Sequence, residues 1–134
     1  MTGPSAAQRS AGRSWIWGEA RNAAGEELGL EHLEALLGDT ATAERVLAVL
    51  DRITATVRGA TDRRSAEFVA LRQALGYCWS VATVAAPQRG RALMEKWLAD
   101  NDRDVRWIMR ENLSKARLTR LDAAWVAEQR GRLD

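Results

Sequence analysis

Residues 98–118 read LADNDRDVRWIMRENLSKARL, and the fold turns on that stretch. Asn101 and Asp102 are short polar residues set where a helix would begin. Their side-chain oxygens suit the first, otherwise orphaned, N–H groups. Asp104 follows in the first turn, where the helix dipole favours a negative charge. Val105, Ile108, Met109, Asn112, Leu113 and Ala116 then recur at i, i+3, i+4, i+7, i+8 and i+11. That spacing predicts a helix over 103–116 with one buried stripe, apolar except at Asn112. The remaining surface carries Arg103, Arg106 and Arg110, with Arg117 just beyond and Trp107 beside them. One face is built for burial and the other is cationic with an aromatic.

Working outward, the neighbouring segments also carry helical periods. Residues 88–100 hold Leu93, Met94, Trp97 and Leu98, and Pro87 closes the helix before them. That preceding helix is expected over 63–86, with Thr61 or Asp62 as its cap. Phe68, Leu71, Leu75, Cys78, Ala82 and Ala85 form its seam. Toward its end it is apolar nearly all round, which marks a central helix. A helix over 40–57 shows Val46, Leu47, Val49, Leu50, Ile53 and Val57, and Gly59 ends it. After the opening stretch, Thr119 and Asp122 suggest the start of a last helix over 119–132, anchored by Leu121, Trp125 and Val126, with Leu118 as a staple. A short helix over 26–37 is expected to turn Leu30, Leu33, Leu36 and Leu37 inward. Residues 1–25 read as a largely irregular tail, broken by Trp15-Ile16-Trp17, and 26–134 as one helical domain.

The fold class expected is all-α. Leu71-Arg72-Gln73-Ala74-Leu75-Gly76 also lies over Met109-Arg110-Glu111-Asn112-Leu113-Ser114 at an offset of 38 residues. Helical solenoids repeat at ~40 residues. Asp102-x-Asp104-Val105-Arg106, followed by Asn112-Leu113, resembles the second helix of a HEAT repeat, over roughly Gln88 to Ala116. Met109 stands where that family usually has a small residue, and Trp107 is bulkier than usual. The resemblance implies an α-α superhelix of about two and a half helical hairpins plus an N-terminal helix. It further implies that Asp102 or Asp104 and Arg106 brace successive repeats. Such solenoids present curved surfaces to other proteins.

Length and composition bound the rest. The chain has 134 residues, enough for one domain with a real core. It is 46% hydrophobic and 28% charged, the balance of an ordinary globular protein. Net charge is +2, too small for a strong phosphate footprint, although the basic residues are eighteen arginines to two lysines. Cys78 is the single cysteine, so no intramolecular disulfide can form. The most apolar run, residues 74–86, is too short to span a bilayer, and a cytoplasmic location is expected.

The sequence carries no phosphate loop, nucleophile elbow or Cys/His metal spacing. No catalytic residue, cofactor or metal is therefore expected, and His32 reads as a surface residue. The constellation that remains is Arg103, Trp107, Arg110 and Arg117, the candidate partner-binding residues. Arginines there can take carboxylate or phosphate while the indole stacks. Alternatively Trp107 is wedged between repeats and the arginines pair with Asp100, Asp102 or Asp104. Trp79, Trp97 and Trp125 continue apolar stripes and read as core. The expected role is a protein-binding scaffold or adaptor. The alternative is nucleic-acid binding related to the HEAT-like DNA alkylation repair glycosylases.

Overall fold

The computed structural model describes residues 39–133, and these are helical with no strand among them. The expected tail, the Trp15–Trp17 segment, the helix over 26–37 and His32 lie outside the described residues. Five helices follow in order: α1 (Thr40–Arg58), α2 (Ala66–Ala85), α3 (Pro87–Leu98), α4 (Arg103–Leu113) and α5 (Ala116–Leu133). None is long and apolar enough to cross a membrane.

Each helix starts for a local reason. Asp39 caps α1 by accepting from the Thr42 N–H at 3.2 Å. That bond, together with the Thr42 hydroxyl, lowers the Asp39 pKa, the hydroxyl being the larger cause. Ser65 caps α2 through the Phe68 N–H at 3.1 Å, so the cap is neither Thr61 nor Asp62. Asp62 instead accepts from the Arg64 N–H and shapes the turn before the cap. Pro87 does more than close α2, because it also occupies the first turn of α3, where its missing N–H costs nothing. Asp102 caps α4 through Asp104 and Val105 N–H groups at 2.9 and 3.1 Å.

Helix α2 is the centre. From Ala74 to Thr83 every residue but Tyr77 is buried, and α1, α3, α4 and α5 all pack on it. Trp79 is fully enclosed and its indole N–H donates to Thr54 Oγ1 at 3.1 Å. Trp97 and Trp125 are buried too, their N–H groups held by Asp51 and Glu95. Helix α3 comes so near α2 that a Cβ on Gly90 would sit 2.6 Å from the Thr83 Cα.

The ends of the last two helices also differ from expectation. Helix α4 ends at Leu113, so Ala116 leaves the stripe and lies exposed at the start of α5. The last helix begins at Ala116 rather than 119, because Leu118 is fully buried and holds that first turn. It is then broken at Asp122, whose extended backbone (φ −161°) lets its carboxylate cap a fresh turn through the Trp125 N–H at 3.0 Å.

Asn112, the polar member of the α4 stripe, is fully buried and clamps α4 to α2. Its carboxamide oxygen accepts from the Ser80 N–H at 2.8 Å, and its nitrogen donates to the Leu75 and Ile108 carbonyls at 2.8 and 2.7 Å. Three of its hydrogen-bonding positions are satisfied inside the core, which offsets its burial.

Candidate functional site

Side by side, α2 and α4 leave an open cleft of about 400 Å³ between their N-terminal halves. Four arginines line it, Arg63, Arg72, Arg103 and Arg110, against one aspartate, Asp104. Trp107 and Val69 supply apolar surface, and Val69 is 45% exposed.

The inner end of the cleft is a closed ion-pair network. Arg63 sits in the α1–α2 loop, not in the helix where its sequence position suggests. Its guanidinium reaches the α3–α4 turn and grips Asp102 as a two-pronged fork, at 3.0 and 2.7 Å. It also donates to Asp104 Oδ2 at 2.8 Å and to the Ala60 and Arg58 carbonyls at 3.0 Å each. All five N–H donors are thus used. Bonds to Asp102 and then Asp104 raise the Arg63 pKa further above its ordinary value. The Arg63 guanidinium likewise holds the Asp102 carboxyl below the usual carboxylate range, against the opposing effect of burial. Arg72 takes the other Asp104 oxygen through Nε at 2.8 Å. Its guanidinium lies 3.7 Å from the Trp107 ring centroid, a close cation–π stack. Nearby, Arg58 at the end of α1 pairs with Asp100 at 2.7 Å and adds a second tie to the α3–α4 turn.

The sequence-predicted residues divide. Trp107 is half-buried, and the rim of its six-membered ring packs where Gly76 leaves room, 3.2 Å from the position of a Cβ. Arg103 is 84% exposed, with Nε 3.7 Å from Asp104 Oδ2, beyond hydrogen-bond reach. Arg110 is exposed and makes no ion pair with any described residue. Arg117 does not belong to the cleft: it is half-buried and donates to Ser80 Oγ at 2.8 Å, tying α5 to α2. Arg106 does not brace the turn at Asp102 and Asp104. It leans the opposite way and donates to the Leu133 carbonyl at 2.9 Å. Helix geometry explains the split. Successive residues turn by ~100°, so Arg103 and Arg110 nearly eclipse, Trp107 leans toward α2 and Arg106 toward α5.

Arg63 and Arg72 are the residues that sequence reasoning missed. Their partners lie 32 to 41 residues further along the chain, and no local spacing carries that signal. Among the described residues no group of three or more His, Cys, Asp or Glu is placed to hold a metal ion.

No family model matches the chain, and comparisons with curated proteins and with solved structures find no similar protein.

Proposed function

We propose that the chain is a cytoplasmic, non-catalytic HEAT-like scaffold that binds another protein through the α2–α4 cleft. The repeat architecture is supported by which helices touch. Pairs α1–α2 and α3–α4 lie side by side, α2 against α4 and α1 against α3, with α5 packing on α4, α2 and α3. Contact of one pair with the next supports a solenoid reading. The segments related by the 38-residue offset fall in the two helices with the largest mutual contact.

The binding reading rests on one observation: Arg103 and Arg110 stand exposed without a hydrogen-bonded acid, beside the apolar surface of Trp107 and Val69. Arg103 has only a long 3.7 Å ion pair with Asp104 and Arg110 has none among the described residues, so both guanidiniums keep donors for an external anionic group. Using the chain as bait, the experiment compares partners recovered by wild type with those recovered by Arg103→Ala/Arg110→Ala. Partners lost at an unchanged melting temperature support the reading. Partners retained by the double variant remove the cleft from it.

The arginine-rich lining also favours a second reading, nucleic-acid binding. Against it, Arg72 already covers a face of Trp107 on which a base would stack. Affinity for random duplex DNA that falls steeply with salt would support this alternative.

A further inference from the structure

We infer that the α2–α4 cleft takes an acidic peptide segment in which two carboxylates roughly 10 Å apart flank an apolar side chain. The inference rests on the protein-binding reading and names the chemistry of the partner.

Arg103 and Arg110 are seven residues apart on α4, two helical turns, or ~10 Å of rise with a net rotation of only ~20°. They therefore leave the helix along one line. The acid nearest to Arg103 is already committed, since Arg63 holds one Asp104 oxygen at 2.8 Å and Arg72 the other at 2.8 Å. Arg103 is left with a 3.7 Å ion pair to Asp104 and no side-chain hydrogen bond, and Arg110 has no ion pair among the described residues. Trp107 falls between them along the axis and is offset toward α2, where Val69 continues the apolar surface. The order along the cleft is cation, apolar surface, cation.

A complementary ligand must alternate in the opposite sense. A polyproline-type chain advances ~3.1 Å per residue and returns to the same face every third residue. Acid-x-x-acid then spans ~9 Å, with room for an apolar side chain between the carboxylates. Each carboxylate can meet a guanidinium fork in two parallel bonds. A nucleic-acid strand fits less well. Its bases would meet an indole with one face already covered by Arg72.

A random peptide library selected on the full chain tests this. Enriched peptides should carry paired acids around an apolar residue. Binding of such a peptide, followed by fluorescence anisotropy, should fall at least about tenfold for Arg103→Glu/Arg110→Glu. The melting temperature should not move, since both side chains are exposed. A peptide with its acids exchanged for lysines should recover binding to that variant alone. Enriched peptides without acids overturn the inference while leaving the protein-binding reading intact, and so do acidic peptides indifferent to the charge reversal. No enriched peptide, together with salt-sensitive DNA binding, overturns both.

Discussion

Four arginines line one cleft and meet opposite fates. Arg63 and Arg72 are drawn inward, where Asp102 and Asp104 use their donors and the surroundings exclude most water. Arg103 and Arg110 project outward with no hydrogen-bonded carboxylate. The residue type is the same, so position relative to the buried α3–α4 turn makes the difference. A guanidinium beside two enclosed carboxylates becomes structural, because removing it strands their charge. Arg103 stands beside Asp104, whose two oxygens Arg63 and Arg72 already hold, and Arg110, two turns further along α4, makes no ion pair with any described residue.

The largest expected effect breaks the inner pair. Arg63→Ala should destabilise by about 3 kcal/mol in denaturant unfolding, because Asp102 loses its counter-charge and Asp104 keeps only Arg72. A loss under about 1 kcal/mol would mean that water satisfies both aspartates and that the inner and outer arginines do not differ.

A smaller effect follows from acid. The folded-state pKa of Asp102 is depressed, chiefly by its bond from Arg63. Its contribution is therefore present above the ordinary carboxylate value, ~3.9, and is lost as pH falls through the folded value. Melting temperature should drop on acidification below about pH 5, more for wild type than for Asp102→Asn. Parallel curves would show that the turn does not depend on this charge.

Arg106→Ala should cost about 1.5 kcal/mol, the lower end for a hydrogen bond to a charged donor, by releasing the Leu133 carbonyl. Measured against Arg63→Ala, it gauges how much of the bracing lies at the C-terminal helix rather than at the turn. A cost equal to that of Arg63→Ala would place the main brace at α5.

The smallest effect is expected at the outer pair. Arg103→Ala and Arg110→Ala should each shift stability by no more than about 0.5 kcal/mol in thermal melts. Destabilisation matching that of Arg63→Ala would sink the division between structural and available arginines.

Much of the fold was legible because it is local. The stripe from Val105 to Leu113, the Asp102 cap, the all-round burial late in α2 and the three core tryptophans follow from spacing along one helix. The errors fall where the chain changes direction. Thr119 and Asp122 read as one cap signal, yet Leu118 draws the helix start back to Ala116 and Asp122 caps a second segment. Arg63 reads as the first residue of a helix, yet the loop it occupies lies against the α3–α4 turn. The candidate site was half legible: Arg103, Trp107 and Arg110 share the cleft, whereas Arg117 is taken by Ser80.

By itself the sequence determined helices and no strand over the described residues, which α4 face is buried, and a surplus of arginine around Trp107. Those depend on a period of ~3.6 residues and on caps within four residues, both set by neighbouring positions. Only the tertiary structure decided which arginines are spent. Asp102 and Asp104 are met by side chains 32 to 41 positions away, at 2.7 to 3.0 Å. Ion pairing acts over a few ångströms of space, and only the packing of α2 against α4 brings those positions within reach.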